Sequence, residues 1–178
     1  WIYELKMDGF RCLAYIDRNS VDFRNKRGMQ MLPKFPELAE IYKNVNDRCI
    51  LDGEIVVLTD GMPDFYRLQK RTLLSDPFKI ELEAGRFPAS FVAFDCIYQG
   101  NQELVFQLLM ERKRKLSNMI TENDRIAVSR YIEKEGTALY QAAEARELEG
   151  VVAKRKESLY FMGKRTKDWV KFKRMADE

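Results

Sequence analysis

The chain has 178 residues, 46% hydrophobic and 33% charged, with a formal net charge of +3, values typical of one globular domain that folds by burial. No apolar run approaches the length of a membrane span, and the three widely spaced cysteines form no zinc or disulfide pattern, so a reducing cytoplasm is expected. The absence of histidine excludes serine–histidine and cysteine–histidine catalysis, which leaves Lys, Asp, Glu, Tyr or Cys to carry any chemistry.

The first stretch of the chain alternates apolar and polar residues. The alternation covers residues 1–6 and 12–16 on either side of Asp8 and Gly9, which predicts two strands joined by a turn. Lys6 is therefore expected at the end of a strand, next to that turn.

The rest of the chain mixes single helices with strands. Apolar periodicity and start signals predict helices over 36–43, 64–74, 106–120 and 136–148. Apolar runs of strand length predict strands over 49–58, 91–98, 150–153 and 169–172. Hairpin-like strands combined with single helices favour an α+β fold in one domain over a doubly wound parallel sheet.

Lys6 begins a K-x-D-G-x-R motif that ends at Arg11. The motif sets a nucleophilic amine and a second cation beside one turn, although a lone match is more often a strand, a turn and a surface arginine. Four more segments follow in the chain: L-D-G-E at 51–54, F-D at 94–95, E-G-V-V-A-K at 149–154 and W-V-K-F-K at 169–173. Together the five segments favour an active site over an accidental match.

The five motifs, in this order, resemble those of the covalent nucleotidyltransferases, which are the DNA ligases, the RNA ligases and the mRNA capping enzymes. The chain is also similar to the bacterial ATP-dependent DNA ligases of the end-joining, ligase D-like type over 94–100, 108–116 and 149–173. The resemblance implies an ATP-grasp-like fold of antiparallel sheets flanked by helices. It further implies an adenylation domain over 1–178, with an OB-fold domain expected to follow but absent from this sequence.

The resemblance also implies an activity and its partners. Lys6 would attack ATP to form lysyl-AMP, and AMP would pass to the 5′-phosphate of nicked or broken double-stranded DNA for sealing in DNA repair. The protein is expected to be monomeric, cytoplasmic and associated with the bacterial nucleoid, with no membrane partner. An RNA ligase or a capping-type guanylyltransferase is the alternative. A noncatalytic nucleic-acid-binding module would explain the basic segments but not the five motifs.

The proposed chemistry requires a neutral amine, whereas the pKa of a free lysine is about 10.4. Nearby cations and partial burial lower such a pKa. The resemblance assigns five residues besides the acids and Phe94 to the nucleotide: Leu5, Arg11, Lys154, Lys171 and Lys173. Lys171 and Lys173 are two residues apart, so on a strand they face the same side and can bracket one phosphate, although in isolation they would indicate a basic edge strand.

Three acids and one aromatic residue receive roles from the resemblance. Glu54 is expected near the ribose and a Mg²⁺ or Mn²⁺ ion, and Glu149 near the same ion, because oxygen ligands suit both metals; structural salt bridges are the alternative. Glu4 is expected to accept a hydrogen bond from the adenine 6-amino group, where guanine presents a carbonyl that a carboxylate repels. Phe94 is expected to stack on adenine, although an aromatic residue in an apolar strand is ordinarily part of the core.

A basic segment follows the first strands. Residues 24–34 contain four Lys or Arg and no acid, which suits a solvated face and phosphate binding about equally. The S-R-x-G motif of the family, which contacts the 5′-phosphate, reads N-K-R-G at 25–28. Lys26 and Arg27 are therefore both predicted DNA contacts, and the sequence leaves open which of them takes the role of the arginine.

Overall fold

Two β-sheets form the framework of the protein, which a computed structural model describes over residues 1–175; residues 176–178, the end of the predicted domain, lie outside the described part. The strands are β1 (Ile2–Lys6), β2 (Phe10–Ile16), β3 (Val21–Arg24), β4 (Cys49–Thr59), β5 (Met62–Pro63), β6 (Ala89–Gln99), β7 (Gln102–Glu103), β8 (Ile126–Val128), β9 (Tyr131–Ile132), β10 (Gly150–Lys154) and β11 (Trp169–Lys173). The α-helices are α1 (Phe65–Leu73), α2 (Pro77–Arg86), α3 (Leu109–Met119) and α4 (Gly136–Ala145).

The smaller sheet has the strand order β11-β10-β1-β9, and every pairing in it is antiparallel. β1 and β10 pair over their whole lengths although most of the chain separates them. Helix α4 packs against these two strands, where a β-carbon added to Gly136 would lie 2.6 Å from the Tyr3 ring. Because side chains alternate along a strand, residues 4 and 6 of β1 project from the other face.

The larger sheet has the order β3-β2-β4-β6-β7, with β5 paired to β4 and β8 paired in parallel to β6. The main hydrophobic core lies against this sheet and includes the fully buried rings of Phe23 and Phe91. A buried ion pair ties α3 to β6, since Arg112 Nε donates to Asp95 Oδ1 at 2.8 Å and both side chains have 0% exposure. The two sheets account for every strand within residues 1–175, which leaves no separate OB-fold barrel there.

The two strands predicted at the start of the chain and the turn between them are confirmed, but their hairpin-like pairing is wrong, because β1 and β2 belong to different sheets. β1 pairs with β9 and β10, whereas β2 pairs with β3 and β4. The turn at Asp8 and Gly9 instead carries the chain between the sheets, and a β-carbon on Gly9 would lie 2.5 Å from the Ile55 carbonyl oxygen. Strands that follow each other in the chain usually pair. Here β1 instead pairs with strands near the other end of the chain.

The predicted helix over 36–43 is also wrong. The segment forms two short 3₁₀ helices, Pro36–Leu38 and Ile41–Asn44, after a third over Leu32–Lys34. The first of the two buries Leu38 and the second buries Ile41. The segment thus packs against the core as two short 3₁₀ turns, without the continuous hydrogen bonding of an α-helix.

Most of the other predicted elements are confirmed. The remaining helices and strands lie within a few residues of their predicted bounds, and the α+β class is confirmed. The sequence prediction lacked β3, β5, α2, β7, β8 and β9. Helix α2 nevertheless has start signals in Asp76, which accepts a hydrogen bond from Phe78 N at 3.0 Å, and in Pro77. Within residues 1–175, no helix is both long and apolar enough to cross a membrane.

Candidate active site

Strand register in the smaller sheet brings three motifs to one face. Glu4, Val152 and Lys171 form one row across β1, β10 and β11, and Lys6 lies opposite Gly150 in the next row. Residues that lie opposite each other in an antiparallel sheet project from the same face. The register therefore gathers side chains from both ends of the chain around Lys6.

A cleft between the two sheets opens onto this face. Its lining consists of Glu4, Leu5, Lys6, Met7, Arg11, Glu54, Val92, Phe94, Ser129, Val152, Lys154, Trp169 and Lys171. Every residue that the sequence analysis assigned to the nucleotide is in this lining except Lys173, which lies exposed at the end of β11.

A second cavity lies on the other side of Lys6. It is lined by Lys6, Asp8, Met62, Pro63, Glu147, Leu148, Glu149 and Arg174. Lys6 Nζ and Glu149 Oε1 are 2.7 Å apart in an ion pair that is mostly shielded from solvent. Burial and the nearby Glu149 charge raise the pKa of Asp8 above its usual value. The Lys6 amine thus lies at the junction of the cleft and an acidic cavity.

Glu54 is a largely buried carboxyl in the cleft, in register with Arg11 and Val92 of the neighbouring strands. Its Oε2 atom has no hydrogen-bond partner among the described residues. Burial raises the pKa of Glu54 to about 7; the Lys6 charge opposes this shift and the Glu149 charge adds to it. A buried acid without a partner suits a ligand that brings a positive charge or a hydrogen-bond donor.

The oxygens of Glu54 and Glu149 fit a hard divalent cation that arrives with a phosphate. Mg²⁺ is commonly bound by one or two carboxylates together with waters and substrate phosphates. In the part of the chain that the structure describes, no cluster of three or more acidic or cysteine side chains forms a metal cage. The donor set therefore suits a metal shared with a nucleotide better than a metal held by the protein alone.

Glu4 is buried, with 2% exposure, and its carboxylate bridges two lysines. Lys113 of α3 donates to Oε1, and Lys154 pairs with Oε2. Burial opposes the ionisation of Glu4, but the two lysines outweigh it and hold the pKa of Glu4 below its usual value. Burial and the Lys154 charge lower the pKa of Lys113 to about 8, because two cations share one anion.

Two aromatic rings form one wall of the cleft. Phe94 and Trp169 meet edge to face, with ring centroids 5.8 Å apart and an interplanar angle of 83°. Lys154 Nζ lies 4.2 Å from both centroids, so two rings flank the ammonium that Glu4 also binds. Phe94 is half-buried and lines the cleft, which suits stacking of a planar base against its free surface.

Arg11 is held in place by a buried acid. Asp52, which is 1% exposed, accepts from Arg11 Nε at 3.2 Å and from Nη2 at 2.7 Å, and the Tyr160 hydroxyl donates to the same carboxylate at 2.6 Å. Burial opposes the charge of Arg11, but the Asp52 carboxylate raises the pKa of Arg11 above its ordinary value. The guanidinium is therefore a fixed cation at the rim of the cleft.

Lys171 reaches the cleft because β10 and β11 approach each other closely. A β-carbon at Gly150 would collide with the Phe172 carbonyl oxygen, so no larger residue fits there without moving β11. Burial, followed by the charges of Lys6 and Arg11, lowers the pKa of Lys171. The cations around the cleft therefore repel one another, and an anionic ligand bound among them would relieve this repulsion.

The predicted DNA contacts lie apart from the cleft. Lys26 and Arg27 are exposed on a turn after β3, the edge strand of the larger sheet. Asn25 Oδ1 closes this turn by accepting from the backbone N–H groups of Arg27 at 3.0 Å and Met29 at 2.9 Å. Both basic side chains project into solvent, so the structure favours neither over the other as a phosphate ligand.

The sequence prediction gave no role to several residues of the site, and four of these make the side-chain contacts described above: Asp52, Lys113, Tyr160 and Trp169. Asp52 lies in the L-D-G-E motif and Trp169 in the W-V-K-F-K motif, so membership of these motifs was the sequence signal that could have identified them. Tyr160 follows the E-G-V-V-A-K motif at a distance and carries no local signal. Lys113 lies in the predicted helix over 106–120, within the charged run E-R-K-R at 111–114, which by itself favours exposure to solvent. Its burial follows only from the packing of α3 on the sheets.

The chain matches the family model of the ATP dependent DNA ligase domain over residues 1–173. It is 30% identical to the bifunctional non-homologous end joining protein LigD of Bacillus subtilis, covering 97% of this chain and 31% of that protein. It is 33% identical to DNA ligase C of Mycobacterium tuberculosis, covering 98% of this chain and 51% of that protein. The chain thus spans about half the length, or less, of these relatives.

Solved structures agree with this match. A mycobacterial DNA ligase D complexed with ATP and MES superposes on 97% of the chain with a TM-score of 0.79 and 28% identity, and the chain covers 54% of that structure. The ATP-dependent DNA ligase of bacteriophage T7, at 18% identity and a TM-score of 0.65, shares the fold. These neighbours confirm the predicted nucleotidyltransferase architecture. With a family model that matches nearly its whole length, the chain belongs to the ATP-dependent DNA ligase domain family.

Proposed function

We propose that this chain is the adenylation domain of an ATP-dependent DNA ligase and that Lys6 is its nucleophile. The observation that carries the proposal is the position of the Lys6 amine, where the cleft meets the second cavity beside Glu149. A nucleotide in the cleft would direct its phosphates toward this amine, and the second cavity offers space for a leaving group or a DNA end. The family match over residues 1–173 supports the same chemistry.

In the proposed reaction, Lys6 Nζ attacks the α-phosphorus of ATP. A P–N bond forms, the bond from the α-phosphorus to the bridging oxygen breaks, and pyrophosphate leaves with the electron pair. Starting from the ammonium, Nζ sheds two protons to water. Nζ lies 2.7 Å from Glu149 Oε1 in an ion pair, so this contact must open before the attack.

Side chains of the cleft hold the nucleotide in this proposal. Adenine stacks on Phe94 and donates its 6-amino group to Glu4, while the ribose lies near Glu54. Arg11 and Lys171 bring positive charge to the phosphates from a fixed guanidinium and an edge strand. These donors and cations are arranged before the ligand arrives, which favours electrostatic stabilisation of the transferred phosphate.

Glu54 and Glu149 are the proposed ligands of Mg²⁺ or Mn²⁺. The unpartnered Oε2 of Glu54 and the position of Glu149 beside Lys6 support this assignment. The metal, when bound, supplies positive charge against the phosphate oxygens. Glu149 would hold the metal from its position beside Lys6, and the Lys6 amine leaves this carboxylate before it attacks.

Strand sealing is the second part of the proposed function. AMP passes from Lys6 to the 5′-phosphate of a DNA break, and a 3′-hydroxyl then displaces AMP and joins the strands. Lys26 and Arg27, on their exposed turn, are the proposed phosphate contacts. We propose that sealing also requires an OB-fold domain beside this one, in keeping with relatives of which the chain covers only part.

Intact-mass measurement of the full-length gene product tests the proposal directly. The protein is incubated with Mg²⁺ and ATP, GTP or NAD⁺, and peptide mapping then locates any nucleotide. We expect an AMP adduct on Lys6 with ATP and no adduct for Lys6→Arg. A GMP adduct would indicate a capping-type enzyme, and AMP on a different lysine would exclude Lys6 as the nucleophile.

A further inference from the structure

Lys113 is a buried lysine that belongs to none of the five motifs. Its side chain is 2% exposed, and its ammonium donates to Glu4 Oε1. Lysine is rarely buried without a partner, because removing its charge from water is unfavourable. Glu4 lines the nucleotide cleft and Lys113 does not, so the hydrogen-bonded route from Lys113 to a bound nucleotide runs through Glu4.

The two lysines around Glu4 leave a defined set of free acceptor sites. An ionised carboxylate accepts at both oxygens, with about two lone-pair sites on each, and donates nothing. Lys113 occupies one site on Oε1 and Lys154 one site on Oε2. The carboxylate plane is thus fixed by two cations on opposite oxygens, and the remaining sites can only accept.

The packing of α3 sets the position of Lys113. Its neighbour Arg112 is fully buried and binds Asp95 through two nitrogens, at 2.8 Å and 3.1 Å. Asp95 in turn follows Phe94, the ring at the cleft wall. The Arg112–Asp95 ion pair therefore fixes the position of Lys113 relative to the Phe94 ring.

Loss of Lys113 would change what Glu4 can recognise. Burial favours the neutral form of Glu4, and Lys113 is one of the two charges that oppose this effect. A protonated carboxyl gains a donor and can pair with a carbonyl, and a carboxyl with one partner is freer to rotate. We propose that Lys113 is a positioning residue for nucleobase selection. It holds the Glu4 carboxylate in one orientation, in which Glu4 can accept a hydrogen bond from an exocyclic amine of the base but cannot donate one. This inference rests on the proposed adenylating function.

The test compares ATP with purine ribonucleoside triphosphate, which lacks the 6-amino group, in the full-length gene product. For Lys113→Met we expect kcat/KM for adenylation with ATP to fall about 10-fold or more, mainly through KM, from the hydrogen bond that Glu4 no longer makes well. The value for the analogue should change less than about 3-fold, because Glu4 has no amine to bind there. A purely structural role for Lys113 would lower both values equally and would overturn the inference.

Two further variants keep the test decisive. Lys115→Met removes a lysine from the same helix that binds only Gln107 among the described residues, and it should leave the preference for ATP unchanged. Lys113→Met leaves Glu4 paired with the buried Lys154, so this single variant should fold, and Glu4→Gln combined with Lys113→Met tests whether the two residues act together. If Lys113 acts through Glu4, the double variant should have the same nucleotide preference as Glu4→Gln, and additive losses would contradict the inference. A parent protein that forms no adduct would instead disprove the proposed function.

Discussion

At the scale of single residues, Glu54 combines burial with the lack of a protein partner for one oxygen. Its pKa of about 7 lies above the value of 4.5 for a free glutamate, so the folded protein holds a proton there more tightly than the unfolded chain does. Such a group adds stability at low pH, and that contribution is lost as the pH rises through about 7. At pH 8 the ionised carboxylate therefore destabilises the ligand-free protein.

Glu54→Gln should raise the stability of the ligand-free protein at pH 8. The shift from 4.5 to about 7 corresponds to at most roughly 3 kcal/mol, or an increase in Tm of at most about 6–12 °C. The gain should disappear near pH 4, where both states of the parent carry a protonated Glu54. Thermal unfolding in EDTA at several pH values measures the effect.

The same variant should lose metal-dependent adenylation, since an amide replaces a proposed metal ligand. Glu103→Gln, at an exposed position of β7, is the matched control and should change neither stability nor adduct formation. A Glu54→Gln protein that is less stable than the parent at pH 8, or that forms lysyl-AMP at the parent rate, would show that Glu54 is a structural residue.

At the scale of elements, the edge strand β11 depends on one glycine of its neighbour. Among the strands of residues 1–175, β11 pairs only with β10, and it carries Trp169 and Lys171 into the cleft. Gly150 permits the close approach of the two strands, and its φ of +149° is also rare for residues with a side chain. The close approach of β11 therefore explains why the E-G-x-V-x-K motif has a glycine at this position.

Gly150→Ala should displace β11 and weaken nucleotide binding. The new β-carbon would meet the Phe172 carbonyl oxygen, so we expect a loss of about 1–3 kcal/mol in stability and faster hydrogen exchange confined to β10 and β11. Gly85→Ala, in α2 with nothing within 4 Å of its β-carbon, is the control and should be neutral or stabilising. Parent-like exchange in β11 together with parent-like adenylation would refute the steric explanation.

At the scale of the whole molecule, the exposed turn with Lys26 and Arg27 lies outside the nucleotide cleft. Replacing both residues with alanine should weaken binding to nicked DNA and reduce the magnitude of its log–log salt slope by about 2, because phosphate contacts release counterions. Lysine adenylation should stay near the parent level, since neither side chain lines the cleft. Binding titrations at several salt concentrations, beside the ATP adduct assay, measure the two effects.

The matched control for this prediction removes the same charge elsewhere. Lys79 and Arg86 are exposed on α2, so their double alanine variant tests whether net charge alone weakens DNA binding. An unchanged salt slope for Lys26→Ala with Arg27→Ala would identify the turn as a solvated loop. An equal loss of adenylation would place the turn in the nucleotide site.

The sequence by itself determined the family resemblance, the α+β class and the identity of most residues in the cleft. Motif residues such as Lys6, Glu54 and Phe94 were predictable because short patterns with strong chemical constraints recur in a fixed order. Periodicity also predicted most helices and strands, since alternation and amphipathicity are properties of neighbouring residues.

Only the tertiary structure decided which distant groups meet. β1 and β2 are neighbours in the chain but lie in different sheets. Conversely, Glu4 binds Lys113 and Asp52 binds Arg11, although the residues of each pair are far apart in the chain. Local patterns cannot predict them, because strand pairing and the burial of a charge depend on which partner supplies the matching hydrogen bonds. The charged run around Lys113 predicts that this residue is exposed to solvent. In the folded protein, the Glu4 carboxylate in the packed interior stabilises the buried Lys113 ammonium.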